Sequence, residues 1–277
     1  MTRDDDELAR FEAEMCQATV VPSLSLKDIC LTFGGVHALE NVNFDVYPHE
    51  IVALVGENAA GKSTLAKVMA GVYRPTSGTV YSDGTEVTIG SPAAATKLGI
   101  ATVFQDLALA DNLDVASNMF LGHELNRAYI LHSREMENAA QAVLDEIGAR
   151  IPSVHKTVAN LSAGQRQSVA IARALLTKPR IVVLDEPTSS LSITQTAEVL
   201  DLIVHMRSLG HGIVLISHNL ADVQAVADRV VVMRHGRIVG ESPTSCITYE
   251  DIVAAITGAI RTLPAPPPAR CNRVVGI

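Results

Sequence analysis

The sequence contains no tryptophan, and aromatic residues of all kinds make up only 4% of its 277 residues. A core built under that restriction is aliphatic, which suits an α/β protein with a buried Val/Ile/Leu sheet. Long apolar runs are missing too: nothing approaches the roughly 18 residues that a membrane-spanning helix needs. Positive charge is in deficit, with 22 Lys and Arg against 30 Asp and Glu. The formal net charge of −8 argues against nucleic-acid binding, which usually calls for a basic surface. The four cysteines (Cys16, Cys30, Cys246, Cys271) lie far apart and form no CxxC pair, which speaks against a disulfide framework or a compact zinc site. The stretch from Met1 to Glu7 is too acidic and polar for a secretory signal, so a cytoplasmic location is expected.

What is present is a pattern of short β-branched runs at 51–55, 100–104, 181–184 and 213–216, separated in several places by helical patterns. That alternation points to a mostly parallel sheet with crossover helices. Two hairpins are expected to decorate it, one over 79–89 around Asp83-Gly84 and one over 230–239 around His235-Gly236. The stretch from about 106 to 160 breaks the alternation. It carries a helix with Met136, Ala139, Ala140, Val143, Leu144 and Ile147 on one face and Gly148 as its stop, and it reads as a helical lobe inserted in the core. Three segments are therefore expected: an acidic lead over 1–22, one α/β domain over 23–261, and a Pro-rich tail over 262–277 in which Pro264, Pro266, Pro267 and Pro268 forbid a helix.

The chemistry concentrates in a few places. Gly56-Glu57-Asn58-Ala59-Ala60-Gly61-Lys62-Ser63, followed by Thr64, fits the G-x-x-x-x-G-K-[ST] phosphate loop and sits between a strand and a helix. Its backbone N–H groups and the helix N-terminus would cradle phosphates. Lys62 would reach the β- and γ-phosphates, and the Ser63 hydroxyl would bind Mg²⁺. Such a match arises by chance in roughly one chain of this size in a hundred, and the strand–loop–helix context makes an ordinary turn improbable. A second apolar strand ends in Asp185-Glu186-Pro187. Asp185 at its C-terminal end could hold the metal, and Glu186 could take a proton from an attacking water.

These parts fit any P-loop NTPase. Leu161-Ser162-Ala163-Gly164-Gln165, placed just before a helix, resembles the LSGGQ signature of the ABC ATPase family, which other P-loop classes lack. The resemblance runs from about residue 25 to 258 and implies a P-loop NTPase fold with an antiparallel β part and a helical lobe. It implies that Ser162, Ala163, Gly164 and Gln165 form a second anion site facing the ATP held by another subunit. It also makes Gln105 the glutamine that contacts Mg²⁺ or water and links to a membrane partner. His218 becomes the switch histidine near the γ-phosphate, and Phe33 an aromatic that stacks on adenine. The runs around His37–Val42, Pro48–Asn58 and Gln105–Val115 look like the ATPases of simple-sugar importers.

Three positions depart from that pattern: Ala59 and Ala163 where glycine is usual, and Ser192 where the family usually has Asp. If position 59 needs a positive φ, alanine there costs about 1 kcal/mol. The resemblance implies a dimer with two sandwiched ATP molecules at the cytoplasmic face of the membrane, most simply a homodimer, with a heterodimer with another ATPase as the alternative. A permease would sit above it and a sugar-binding protein outside. Rival readings are a soluble ABC-type ATPase, a GTPase switch (against which the sequence lacks Asn-Lys-x-Asp), and a weakly hydrolysing nucleotide-binding regulator.

Overall fold

The computed structural model describes residues 21–127, 130–260 and 263. The chain opens with two long antiparallel strands, β1 (Leu24–Phe33) and β2 (Val36–Val46), before β3 (Ile51–Val55) and helix α1 (Lys62–Met69). A hairpin of β4 (Ser77–Ser82) and β5 (Thr85–Val87) follows, then α2 (Pro92–Lys97) and β6 (Ile100–Val103). The lobe contains α3 (Val115–Phe120), the small hairpin β7 (Asn126–Arg127) and β8 (Ile130–Leu131), and α4 (Ser133–Glu146). Next come α5 (Ala163–Leu175), β9 (Ile181–Asp185), α6 (Ile193–Ser208), β10 (Gly212–Ile216) and α7 (Leu220–Val226). The described chain ends with β11 (Arg229–Arg234), β12 (Arg237–Pro243) and α8 (Tyr249–Thr257).

The strands form a six-stranded sheet ordered β12-β11-β3-β10-β9-β6 and a four-stranded antiparallel sheet ordered β2-β1-β4-β5. In the larger sheet β11, β3, β10, β9 and β6 run parallel, and β12 pairs antiparallel at the edge. Its central strands are buried on both faces, which is why they read as unbroken apolar runs. The pleat divides them between two cores. Ile51, Ala53, Val55, Val182 and Leu184 pack with the helices of the lobe and with α6 to α8. Val52, Leu54, Ile181 and Val183 pack with α1 and the antiparallel sheet. Helix α5 contacts α3, α4, α6 and β6, so it joins the lobe to the sheet.

One expectation needs correction, and one pair of strands was not expected at all. The hairpin over 229–243 is not a decoration, because β11 is hydrogen-bonded parallel to β3 and belongs to the central sheet. Strands β1 and β2, the longest among the described residues, escaped the pattern reading. Leu39, Val42, Phe44 and Val46 are buried, but irregular register around Ile29 and left-handed backbone at Asp28 (φ 52°) and Asn41 (φ 48°) break the period of two. Both expected turns are of the primed hairpin kind, with positive φ at Asp83 and Gly84 and at His235 and Gly236. The lobe helix has Met136, Ala140, Leu144 and Ile147 buried, and Gly148 follows it at φ 69°. The acidic lead up to residue 20, and the tail apart from Leu263, lie outside the described residues.

Candidate active site

Because β3, β6, β9 and β10 run parallel, their C-terminal ends share one edge of the sheet, and the chain delivers its reactive side chains there. After β3 the loop turns through Ala59 at φ 63° and Gly61 at φ 106° before Lys62 opens α1. Gly61 offers no side-chain cap, so the first N–H groups of the helix stay available to an anion. The loop is braced from outside: Gly236 N donates to Ala60 O at 2.9 Å, and Glu40 N donates to Gly236 O at 2.8 Å. A Cβ at Gly236 would stand 2.8 Å from Ala38 O, so this bracing turn tolerates only glycine.

Lys62 is 5% exposed and donates to the carbonyls of Gly56 and Glu57, each at 2.8 Å. Burial pushes its pKa down from the usual lysine range, while Glu186 and Asp185 pull it back up. Ser63 Oγ donates to Asp185 Oδ1 at 3.4 Å. Burial raises the pKa of Asp185; the Ser63 hydroxyl opposes that, and neighbouring Glu186 adds to it. The next residue, Glu186, sits in left-handed backbone (φ 53°) and donates its N–H to Ile216 O at 2.9 Å. That strained conformation turns its carboxylate toward the loop after β10, where Oε1 meets His218 Nδ1 at 3.1 Å.

A cavity of about 670 Å³ lies over the phosphate loop, walled by Asn58 to Thr64, Gln105 and Glu186. Its far wall is Val36, His37, Ala38, His235 and Gly236. Sequence reasoning missed these five as site residues. For His235-Gly236 the turn signal was available, but nothing in the sequence says that this turn folds over the loop. Phe33 is 45% exposed and does not line the cavity; its ring meets Tyr73 edge-on, with centroids 5.0 Å apart.

The signature residues stand elsewhere. Ser162 caps α5 by accepting from Gln165 N at 3.2 Å, and Gln165 Oε1 accepts from Ser162 N at 3.1 Å, a reciprocal capping box. Gln165 also donates to Arg150 O at 3.2 Å. Ala163 is the first helical residue, where alanine is a better helix former than glycine. A Cβ on Gly164 would come within 3.0 Å of Gln195, so the glycine lets α5 approach the start of α6. Ser192 caps α6 in a second capping box with Gln195, a task for which Ser and Asp are near-equivalent. None of residues 162–165 lines the phosphate cavity; Ala163 lines a separate groove of about 410 Å³ with Ser189, Ser190 and Leu191.

Gln105 lines both the cavity and that groove. The segment after it is firmly held. Arg173 donates to Leu107 O at 2.6 Å and Ala108 O at 2.9 Å, and fully buried Asn118 bonds both Ala110 N and Ala110 O.

The residues present fit a nucleotide and a hard divalent cation. Among the described residues the hydrogen-bond acceptors of Lys62 are carbonyls, which it could exchange for phosphate oxygens, and the Ser63–Asp185 pair offers oxygen donors of the kind Mg²⁺ takes. Among the described residues no helix is long and apolar enough to cross a membrane.

The profile of the ABC transporter family matches residues 39–189. The chain is 42% identical over 237 residues to the ribose import ATP-binding protein RbsA 2 of Escherichia coli O157:H7, covering 86% of this chain and 47% of that protein. It thus spans about half the length of that relative. It is 40% identical over 246 residues to the fructose import ATP-binding protein FrcA of Rhizobium meliloti, covering 86% of this chain and 95% of that protein. Among solved structures, the ADP conformation of MJ1267, an ATP-binding cassette of an ABC transporter, superposes with a TM-score of 0.74 at 26% identity, over 85% of this chain and 95% of that one. A dimeric post-hydrolysis state of the cassette MJ0796 bound to ADP and Pi gives a TM-score of 0.68 at 26% identity, over 80% and 98%.

Proposed function

The chain belongs to the ABC transporter family, and on that footing we propose that it is the ATP-hydrolysing subunit that powers import of a simple sugar through a membrane permease. The observation that carries the proposal is the convergence of Lys62, the Ser63–Asp185 pair, the Glu186–His218 pair and Gln105 at one sheet edge. Lys62 neutralises the β- and γ-phosphates, giving up its two carbonyl bonds; the anionic ligand raises the ammonium pKa that burial lowers. Ser63, Asp185 and Gln105 would hold Mg²⁺. Bound there, the ion would supply neutralisation of the phosphates' negative charge. Glu186 accepts the proton of the attacking water, and His218, bonded to its carboxylate, fixes its direction.

The separation of the signature from the phosphate cavity within one chain supports a composite site. Ser162 to Gln165 of one copy would then close the ATP held by Lys62 and Ser63 of another. The resemblance to the dimeric MJ0796 cassette favours the same assembly. Ribose and fructose import by the named relatives favour a monosaccharide cargo and an extracytoplasmic sugar-binding protein as the source of substrate. An apolar groove of about 560 Å³ between sheet and lobe, lined in part by Val72, Phe104, Leu121 and Leu125, offers a seat for the permease. Leu121 and Leu125 are half-exposed there, at 46% and 39%. The subunit would accordingly lie on the cytoplasmic face as a peripheral protein. The formal net charge of −8 disfavours a nucleic-acid partner.

The test is hydrolysis and uptake measured together. Glu186→Gln should bind ATP normally while turnover falls by about a hundredfold or more; wild-type turnover would instead sink the active-site reading. Leu121→Asp with Leu125→Asp should leave the basal ATPase intact and abolish uptake by the reconstituted transporter. Normal uptake would place the permease elsewhere.

A further inference from the structure

One buried carboxylate beside the active site has no part in the mechanism so far. Asp222 lies in the first turn of α7 and is 7% exposed, on a short helix whose other buried residues, Leu220, Val223 and Val226, are apolar. Among the described residues its side-chain partner is the neutral hydroxyl of Thr188, which donates to Oδ2 at 2.6 Å. Burying a carboxylate against a neutral group is costly, although the positive end of α7 offsets part of that. Stability alone would favour an apolar side chain here.

The position of this bond in the chain gives it a consequence. Thr188 lies two residues beyond Glu186, across Pro187 with its locked φ. Asp222 lies four residues beyond His218, about one helical turn away. The two loops that carry Glu186 and His218 are already tied ahead of the pair by Glu186 N donating to Ile216 O at 2.9 Å. The Thr188–Asp222 bond ties them again behind it. Between the two ties His218 meets Glu186 at 3.1 Å, with the imidazole 61% exposed. The loop of His218 is itself shaped by Ser217 Oγ, which accepts from Asn219 N at 3.0 Å.

We infer that Asp222 is a positioning residue: through Thr188 it sets the register of the His218 loop against the Glu186 loop, and so holds the imidazole on the carboxylate that takes the proton. The inference rests on the assignment of Glu186 and His218 above. It predicts that loosening the second tie lowers the chemical step and spares nucleotide binding.

The experiment uses the purified full chain with MgATP, measuring kcat, KM, the affinity for a fluorescent ATP analogue, and the melting temperature. Asp222→Ala and Thr188→Val should each lower kcat by about tenfold to a hundredfold, as displacement of a reacting group by an ångström does, with analogue affinity changed by less than about twofold. The double variant should be no worse than either single one, because both remove one interaction. Asp222→Asn keeps an oxygen that accepts the same bond and should restore most of the rate. In a Glu186→Gln background Asp222→Ala should cost nothing more. A wild-type kcat in Asp222→Ala, or an equal loss with the Glu186→Gln change already present, overturns the tie. So does a parallel fall in affinity and melting temperature that Asp222→Asn shares, since that marks a merely structural residue. If Glu186→Gln alone hydrolyses at the wild-type rate, the catalytic pair itself is wrong and the tie falls with it.

Discussion

Replacing Ala59 by glycine should stabilise this protein. Ala59 has φ 63°, a conformation in which the Cβ of an L-residue crowds the following carbonyl at a cost of about 1–2 kcal/mol. Its methyl group is exposed, so removing it forfeits little buried area. Against the relief stands the extra freedom that glycine gives the unfolded chain, about 0.4–1 kcal/mol. The balance is a gain of about 0.5–1 kcal/mol. For a domain of this size that raises the melting temperature by about 1–4 °C. The assay is urea and thermal unfolding of the nucleotide-free chain, with Ala59→Val as a second variant that should lose stability because a β-branched residue is worse in this region. ATP affinity should change little, since glycine can keep the same loop backbone. An unchanged or lowered melting temperature in Ala59→Gly would refute the argument that alanine strains the loop here.

Three further outcomes follow from the site. In size-exclusion chromatography, Glu186→Gln with ATP should run as a dimer, and adding Ser162→Arg should return it to monomer; a stable dimer without ATP, indifferent to Ser162, would count against the composite site. Because burial raises the pKa of Asp185, and a cation needs the ionised carboxylate, Mg²⁺-dependent ATP affinity should weaken as pH falls through that raised pKa, and Asp185→Asn should abolish the pH dependence. The same shift has a stability consequence with a definite sign. A carboxyl whose folded pKa lies above its unfolded value near about 4 destabilises the fold as pH rises past that value, so Asp185→Asn should raise the melting temperature of the nucleotide-free chain at neutral pH and not below pH about 4.

How much of this could be read from the chain depends on whether each feature is local. The phosphate loop is one contiguous run whose spacing is set by backbone geometry, and the capping boxes at Ser162 and Ser192 span four residues each. The central strands announce themselves because both of their faces are buried, which leaves no polar residue to interrupt them. Strands β1 and β2 were silent because irregular register and the left-handed residues Asp28 and Asn41 shift the side-chain alternation partway along. Ser192 stands where the family usually has Asp; in the fold the serine performs a helix cap, which needs an oxygen and no charge.

The sequence by itself determined the phosphate loop, the carboxylates that end β9, the signature and the alternation that builds a parallel sheet, because each is written within a few neighbouring residues. Tertiary structure alone decided that β11 joins the central sheet, that the start of β2 at His37 and the turn at His235 wall the cavity over the phosphate loop, and that Asp222 reaches Thr188. It also decided that the signature and the phosphate loop of one chain line different cavities. The physical reason is range. A turn or a cap is satisfied by its own neighbours, whereas a pairing across 34 residues or more, such as Thr188 with Asp222, depends on how whole strands and helices stack, and no local pattern encodes that.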